Sequence, residues 1–287
     1  MNYRTDLALE RRELETDAEG VENDEITVGR AKISRIRVTN EKGAAALDKP
    51  IGSYVTVEVP PLSDDASLDD DMLASVKNEI ARMLPSQGLV LVAGLGNTEI
   101  TPDALGPKTA SKVIATRHIT GEIARAAGLT DLRPVCVLAP GVLGQTGIET
   151  GEIIKGIVEK VEPAAVIVVD ALASRRLARL GCTVQISDAG ISPGAGVGNK
   201  RKEISRETLG VPVVAVGVPT VVDAATLAYD LTGKESDNEV EPRGAKMIVT
   251  PREIDLLIDR AAQLVSHAIN CALQPGVSPD DLLALAG

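Results

Sequence analysis

Two aspartates are the residues of this chain whose type and placement best suit acid–base chemistry. Asp103 lies in the segment "GLGNTEITPDALGP", directly after the apolar run "LVLVA", and Asp170 ends the apolar run "AAVIVVD". Two carboxylates in one cleft cannot both ionise easily, so the pKa of one of them rises. One group can then accept a proton from a water molecule while the other donates one. The competing interpretation for each aspartate is a helix N-cap or a turn.

The elements that must position this pair alternate between strands and helices. The pattern predicts, in order, a strand "LVLVAG", a helix "PKTASKVIATRHITGEIARAAG", a strand "PVCVLAP", a helix "GIETGEIIKGIVEKVEP" and a strand "AAVIVVD". Near-continuous apolar strands between helices are typical of an α/β fold with a mostly parallel sheet and helices on both faces. If these strands have the common 2-1-3 order, Asp103 and Asp170 meet at the switch point between the first and the third.

Further elements flank this core. Strands "AKISRIRVT" and "GSYVTVEVP" and a capped helix "SDDASLDDDMLASVKNEIARML" precede it, and a short helix "ALASRRLARLG" and strands "CTVQIS" and "VPVVAVGVP" follow Asp170. Acidic residues are dense near the N-terminus, which predicts a solvated, mobile arm over residues 1–25. Residues 26–287 are expected to form a single domain, with the core at 89–230, a polar loop at 233–244 and C-terminal helices at 251–287.

The composition argues against several classes of protein. A formal net charge of −11 makes direct nucleic-acid binding unfavourable, and three tyrosines without Phe or Trp provide no stacking platform. The three cysteines are far apart and form no zinc-binding pattern. The longest apolar runs are strand-sized and the N-terminus has no apolar signal region, so we expect a cytoplasmic protein without membrane contact.

The glycine turn after the first core strand resembles part of a dinucleotide-binding fingerprint. Gly94 and Gly96 supply the first two glycines of G-x-G-x-x-G, but Glu99 occupies the third position. Two prolines also interrupt the segment where the helix of that motif begins. A nucleotide or anion binder that uses the Gly94–Asn97 turn therefore stays open only as an alternative.

Other polar residues supply weaker candidates. Asn97 and Thr101 lie in the loop that carries Asp103, where they could position the loop or polarise a carbonyl. The loop "SDAGISPGAGVGNKRKEIS" contains Gly194, Gly196 and Asn199, which could bind a substrate backbone or an anion. The two histidines, His118 and His267, lie in helical patterns and are interpreted as packing or surface residues.

Long segments of the chain resemble the germination protease (spore protease) family of endospore-forming bacteria. The resemblance runs from Arg4 to about Asp230, and the C-terminal helices match less well. Its motifs, in order, are "RTDLALE", "YVTVEVP", "GLGNTEITPDALGPK", "LAPGVLGQTGIETGEIIKGIVEK", "VVDALASR", "QISDAGISPGAGVGNKRKE" and "ETLGVPVVAVGVPTVVDAATLAYD".

The resemblance implies an endopeptidase that degrades small acid-soluble spore proteins in the cytoplasm of the spore core during germination. It implies a zymogen that removes its own N-terminal segment, a homotetramer, no cofactor, and a fold similar to that of hydrogenase maturation endopeptidases. The two aspartates proposed as the catalytic pair of the family match Asp103 in "TPDALGP" and Asp170 in "VVDALAS".

The resemblance also implies a processing site. The substrates of the family are cut after an acid in Thr-Glu-(Ile/Phe)-Ala-like sequences, and Thr5-Asp6-Leu7-Ala8 is similar to that pattern. We therefore predict cleavage between Asp6 and Leu7. The acidic arm that follows is expected to make this site accessible.

The chain departs from the family pattern at two places that bear on mechanism. The pro-segment, residues 1–6, is shorter than is usual in the family. Many relatives carry a His where this chain has Ser192, and in the related hydrogenase maturation enzymes a His and two acids bind a metal. We therefore expect no metal site, and keep as an alternative a metal-assisted peptidase in which Asp103 and Asp170 bind a hard cation.

Overall fold

The computed structural model of the protein describes residues 5–63, 70–119, 132–198, 201–232 and 247–286. Within these residues nine strands form one sheet in the order β1-β2-β3-β7-β8-β6-β4-β5, and β9 pairs with β8. The strands are β1 (Val21–Val28), β2 (Ala31–Val38), β3 (Gly52–Glu58), β4 (Val90–Gly94), β5 (Val135–Leu138), β6 (Ala165–Ser174), β7 (Thr183–Ser187), β8 (Val213–Asp223) and β9 (Ile248–Val249).

The centre of the sheet is parallel. Strand β4 pairs in parallel with β5 on one side and with β6 on the other, and β6 pairs in parallel with β8. This arrangement confirms the predicted 2-1-3 order, because the first core strand lies between the second and the third. Antiparallel strands β7, β3, β2 and β1 extend the sheet beyond β8.

Helices connect the strands, as the alternating pattern predicts. They are α1 (Ala8–Leu14), α2 (Glu41–Leu47), α3 (Asp70–Met83), α4 (Leu105–Lys112), α5 (Leu143–Thr146), α6 (Thr150–Val161), α7 (Arg206–Leu209), α8 (Ala224–Thr232), α9 (Ile254–Leu273) and α10 (Pro279–Ala286). Short 3-10 turns occur at Thr101–Asp103, Leu177–Arg179 and Ala195–Val197. Within the part of the chain that the structure describes, none of the helices is long and apolar enough to cross a membrane.

Both faces of the sheet are covered, which confirms the predicted α/β fold class. On one face the buried side chains of α3, α4, α9 and α10 form a large apolar cluster with those of the central strands. On the other face Ile154 and Val158 of α6 pack with Leu91 of β4 and Val168 of β6. All residues of β4 and β8 are buried, which explains why these strands appear in the sequence as uninterrupted apolar runs.

The N-terminal region forms regular elements, α1 and the start of β1, so the predicted mobile arm is wrong for residues 8–25. Strand β1 pairs with β2 along its whole length, and Ala8 and Leu9 of α1 are buried. The boundary expected at residue 25 falls inside β1. Three of the acidic residues, Glu22, Asp24 and Glu25, face solvent along this edge strand, where Asp24 and Glu25 form ion pairs with β2, whereas Glu10 in α1 is buried.

Two predicted helices differ from the structure. The helix expected over residues 107–128 ends at Lys112, whose carbonyl oxygen accepts a hydrogen bond from the Asn270 side chain, while residues 120–131 lie outside the described part. In "ALASRRLARLG", residues 171–174 continue β6 because they pair with the long β8, and only Leu177–Arg179 form a 3-10 turn. The polar loop expected at 233–244 also lies outside the described residues.

Candidate active site

Asp103 is fixed by the tight connection between β4 and α4. Its carboxylate accepts a hydrogen bond from the backbone N–H of Asn97, with Oδ2 2.8 Å from the nitrogen. Gly96 has a φ of 115°, and a Cβ at this position would collide with the Asp103 carbonyl oxygen. The glycine therefore permits the turn that brings the Asn97 N–H onto the carboxylate. This N–H is thus engaged within the turn by a carboxylate.

Neighbouring strands also hold the segment that carries Asp103. The Thr220 hydroxyl of β8 donates to the Pro102 carbonyl oxygen at 2.8 Å, and the Thr250 hydroxyl donates to the Thr220 carbonyl oxygen at 2.9 Å. A Cβ on Gly94 would overlap the Gly106 carbonyl group of α4. Because neither Gly94 nor Gly106 has a side chain, α4 begins directly against the end of β4. Asp103, which precedes α4, therefore lies at the edge of the sheet.

Asp170 lies within β6, the parallel neighbour of β4. It follows Val169, which pairs with Gly94 at the end of β4. Its side chain is buried, and Oδ1 accepts a hydrogen bond from the backbone N–H of Ala171 at 2.9 Å. Burial, together with the negative charges of Asp103 and Asp6, raises the pKa of Asp170 well above the ordinary value of 3.8.

The environment of Asp103 differs from that of Asp170. Its side chain is partly exposed to solvent. Burial raises the pKa of Asp103, whereas the hydrogen bond from the Asn97 N–H stabilises the ionised form and lowers it. Burial and the charges of the neighbouring carboxylates therefore make Asp170 keep its proton to a higher pH than an ordinary aspartate.

Asp6 is a third carboxylate at this site. Its backbone N–H donates to the Ala173 carbonyl oxygen at 2.9 Å, and its Oδ2 accepts from the Ala173 N–H at 2.8 Å. The Gly196 backbone also hydrogen-bonds to the carboxylate. Burial raises the pKa of Asp6, and the charge of Lys49 and these backbone hydrogen bonds lower it. Asp6, the acidic residue of "TDLA", therefore lies beside Asp170 and is hydrogen-bonded to Ala173 near the end of β6.

The segment around Asp6 is buried, so the expectation of an accessible processing site is wrong. Thr5 is 4% exposed, and Leu7 and Ala8 are both 0% exposed. Glu10 anchors the segment, since its carboxylate accepts hydrogen bonds from the Arg175 N–H at 2.6 Å and from the Thr5 hydroxyl. The segment is buried because α1 packs on the sheet and binds the end of β6.

Two cavities meet at the seated aspartate. The first, about 540 Å³, is lined by Asp103 and by apolar side chains that include Ile100, Leu143 and Val197. The second, about 550 Å³, lies on the side of Lys49 and Gln185. The residues that line both cavities are Asp6, Asp170, Leu172 and Gly194. The N-terminal segment therefore occupies the middle of a cleft with open space on either side.

The structure brings most of the sequence-predicted loop residues to this cleft. Asn97 and Gly194 line the cavity that contains Asp103, and Gly196 contacts Asp6. The Asn97 side-chain oxygen accepts a hydrogen bond from Gln145 at 2.9 Å. Thr101 begins the 3-10 turn and accepts a hydrogen bond from Ala104 N–H through its carbonyl oxygen, so it shapes the loop. The remaining candidate, Asn199, lies outside the described residues.

Sequence reasoning missed two polar residues that contact the seated segment. Lys49 follows a short helix that the pattern did not reveal, and Gln185 lies in the middle of the buried strand β7. Both side chains donate hydrogen bonds to the Asp6 carbonyl oxygen. The one signal available in the sequence was Gln185 itself, a polar residue between apolar neighbours in "CTVQIS".

Neither histidine lines the two cavities around Asp6 and Asp170. His118 is exposed in a turn, and His267 is buried in α9, where burial lowers its pKa. These positions agree with the interpretation of surface and packing residues. Over the described ranges, His, Cys, Asp and Glu residues form no group of three or more that is arranged to hold a metal ion.

Comparison with known proteins places the chain among proteases. The family model described as germination protease matches residues 3–233. The germination protease of Caldanaerobacter subterraneus subsp. tengcongensis is 45% identical, covering 98% of this chain and 97% of the relative. That of Clostridium perfringens strain SM101 is 43% identical, covering 98% of both chains.

A solved structure of a [NiFe] hydrogenase maturation protease, HycI from Thermococcus kodakarensis KOD1, is similar with a TM-score of 0.38. It is 17% identical and aligns with 67% of this chain and 98% of its own. The matches to the two relatives extend through nearly the whole chain, and the family model spans positions 103 and 170. The chain therefore belongs to the germination protease family, and it is an endopeptidase.

Proposed function

We propose that this protein is a self-processing endopeptidase that degrades small acid-soluble spore proteins during germination. It hydrolyses the peptide bond after an acidic residue in Thr-Glu/Asp-hydrophobic-Ala sequences, and it cuts itself between Asp6 and Leu7. The observation that carries this proposal is the position of Asp6, which lies in the cleft shared by Asp103 and Asp170.

The two aspartates divide the proton chemistry according to their surroundings. Asp103 accepts a backbone N–H and is partly exposed, so it is the group that ionises first and acts as the base on water. Asp170 is 5% exposed and faces two other carboxyl groups, so it retains its proton and donates it to the leaving nitrogen. Asp103 as the base and Asp170 as the acid fit a general rule: two carboxyl groups in one cleft can have different pKa values, and the group with the lower pKa acts as the base.

The preference for an acid before the cut is supported by the hydrogen bonds of the Asp6 carboxylate. Backbone N–H groups of Ala173 and Gly196 donate to it, and such donors favour a charged acceptor over a neutral one. An acidic side chain of a spore protein would be bound by the same two N–H groups. Substrates with an amide at this position are expected to bind less tightly.

The preference for apolar residues after the cut is supported by Leu7 and Ala8. Both side chains are buried, and Ala8 packs with Ile36 and Tyr54 in a small apolar cluster. A large apolar residue followed by a small one therefore fits the space beyond the bond. This order is the one that the substrate pattern requires.

Assembly and location follow from the family assignment. We propose a homotetramer that acts in the cytoplasm of the spore core, where its substrates are found. The hydrolysis described above uses water and the side chains of this chain, so no cofactor is included in the proposal.

The test is hydrolysis of a peptide that contains a Thr-Glu-Ile-Ala sequence by purified Asp103→Asn and Asp170→Asn variants. Each variant is expected to lose at least roughly a hundredfold in rate, the range of general acid–base catalysis. Asp223→Asn is the matched control, because Asp223 is also a buried strand-end carboxylate but caps α8 through Thr226, and asparagine caps helices equally well. Wild-type rates in either test variant, with wild-type circular dichroism, would remove that aspartate from the mechanism.

A further inference from the structure

Lys49 and Gln185 converge on the carbonyl oxygen of Asp6. The Lys49 Nζ lies 3.0 Å from this oxygen, and the Gln185 Nε2 also lies 3.0 Å from it. The carbonyl group belongs to the Asp6–Leu7 peptide bond, the bond that the proposed self-cleavage breaks. Two donors from different elements therefore meet at the atom on which negative charge develops when water attacks this bond.

Lys49 is directed to this position by the end of α2. Asp48 has a φ of 50° in the left-handed region, and the next N–H, that of Lys49, bonds back to the Ala44 carbonyl oxygen at 3.1 Å. Asp48 also accepts a hydrogen bond from Arg11 of α1 at 3.2 Å. The helix end and the processing segment are thus tied together, with the lysine side chain between them.

Gln185 binds the backbone on both sides of Leu7, the residue that follows the Asp6–Leu7 bond. While its Nε2 donates to the Asp6 carbonyl oxygen, its Oε1 accepts from the Ala8 N–H at 2.8 Å. The Ala8 N–H requires an acceptor, which fixes the amide with its NH₂ group toward Asp6. Gln185 is buried within β7, so its orientation is rigid. The side chain therefore holds Leu7 in an extended backbone conformation, directly after the bond.

We propose that Lys49 and Gln185 are catalytic residues that form an oxyanion-binding pair for peptide hydrolysis after an acidic residue. The proposal rests on the proposed function, because it requires Asp6–Leu7 to be the bond that is cut. Preorganised donors of this kind act on charge that appears only as the reaction proceeds, so they lower the barrier more than they strengthen substrate binding.

Hydrolysis of the Asp6–Leu7 bond consumes one water molecule and needs no other reactant. The water oxygen bonds to the Asp6 carbonyl carbon, and the base takes one water proton. The carbonyl electrons move to the oxygen, where the Lys49 ammonium and the Gln185 amide stabilise them. The carbon–nitrogen bond then breaks, and the Leu7 nitrogen leaves with a proton from the acid. The products are a carboxyl group on Asp6 and an amino group on Leu7.

The same pair would act on substrates supplied from outside. Once residues 1–6 have left and Leu7 and Ala8 have moved out of the cleft, the carbonyl group of an acidic residue in a spore protein can take the place of the Asp6 carbonyl. Its side chain would bind the N–H groups of Ala173 and Gly196. Lys49 and Gln185 therefore serve both self-processing and digestion.

The experiment measures the rate of self-cleavage by intact mass in Gln185→Glu and Lys49→Met. Gln185→Glu keeps an oxygen for the Ala8 N–H but replaces the donor for the Asp6 carbonyl with a carboxylate oxygen, so it removes that donor and adds a negative charge. Each variant is expected to cleave roughly 10²–10³-fold more slowly than the wild type, the loss seen when one oxyanion donor is removed. Gln185→Met, which is apolar and of similar size, replaces Gln185→Glu if the latter fails to fold by thermal melting.

Matched controls are exposed residues of the same types. Lys42→Met removes a surface ion pair with Glu19, and Gln263→Glu changes an exposed residue of α9, so both should cleave at the wild-type rate. Wild-type rates in folded Lys49→Met and Gln185 variants would overturn the oxyanion pair and leave the aspartate mechanism intact. If the wild-type protein itself is cut at another bond, the proposed processing site fails, and the oxyanion pair fails with it.

Discussion

Replacement of Gly196 by alanine tests the close packing of this glycine against Asp6 in the candidate site. A Cβ on Gly196 would lie 2.6 Å from the Asp6 Cγ and 2.7 Å from the Ala173 Cβ. These separations are about 0.8–0.9 Å shorter than the distance of roughly 3.5 Å at which carbon atoms pack favourably. The Ala173 methyl belongs to β6 and cannot move far, so the Asp6 side chain must be displaced.

Displacement of Asp6 is expected to slow self-cleavage. The Asp6 carboxylate would lose or lengthen its hydrogen bonds to the Ala173 and Gly196 N–H groups, each worth about 1.5–3 kcal/mol for a charged acceptor. The Asp6 carbonyl would move with it, and a misplacement of about 1 Å at a reacting group can cost on the order of a hundredfold in rate. We therefore expect Gly196→Ala to cleave itself about a hundredfold more slowly than the wild type.

The assay is a time course of intact mass on freshly purified full-length protein. Gly156→Ala is the matched control, because no atom lies within 4 Å of a Cβ at that exposed helical position. That variant should cleave normally and unfold at an equal or slightly higher temperature, since alanine favours a helix more than glycine. Self-cleavage of Gly196→Ala at the wild-type rate would show that Asp6 is not seated as described, and the reasoning would be refuted.

Three further predictions concern the buried carboxyl groups. Asp170→Asn should raise the free energy of unfolding at pH 7 by about 1.4 kcal/mol for each unit by which the fold raises the Asp170 pKa. This increase in the free energy of unfolding should vanish below about pH 4, where Asp170 is protonated in both the folded and the unfolded state. An increase of the same size at pH 3 would contradict a raised pKa of Asp170. The rate of peptide hydrolysis should follow a bell-shaped pH profile, limited at low pH by protonation of Asp103 and at high pH by ionisation of Asp170, and a flat profile would exclude this division of roles. Glu10→Ala should lower the free energy of unfolding in urea by about 3 kcal/mol, because Arg179 and two backbone N–H groups lose their buried partner; an unchanged urea midpoint would show that Glu10 does not anchor the segment.

The positions of Asp103 and Asp170 could be predicted because the sheet has few alternatives. Apolar runs of strand length alternate with helices, and the usual strand order brings the ends of the first and third runs together. The structure has this order, and both aspartates line one cavity. The residue types could be read from the sequence, whereas the strand order was assumed to be the common one, and the structure confirms it.

The contacts of the N-terminal segment could not be predicted, because they depend on distant residues. Asp6 is bound by Ala173, and Ala8 by Gln185, across separations of 167 and 177 residues. The acidic residues over 9–25 gave the signal of a mobile arm, although some of them lie on an ordered edge strand and Glu10 is buried in α1. Lys49 depends on the left-handed conformation of Asp48, which no periodic pattern reveals.

The lengths of individual elements were also decided by tertiary contacts. Strand β6 continues through Ser174 because β8 offers partners as far as Val222, although "ALASRRLARLG" has a helical pattern. Helix α4 stops at Lys112 because the Asn270 side chain binds the last carbonyl oxygen and the following Ile114 N–H. Both changes arise from long-range hydrogen bonds that override local propensity.

The most direct test of the central claim is the mass of the processed protein in the wild type and in the two aspartate variants. The wild-type chain is expected to lose residues 1–6 and begin at Leu7, because Asp6–Leu7 is the bond held in the cleft. Asp103→Asn and Asp170→Asn are expected to keep their full mass under the same conditions. A mature chain that begins at another residue, or removal of residues 1–6 at the wild-type rate in either variant, would contradict the account.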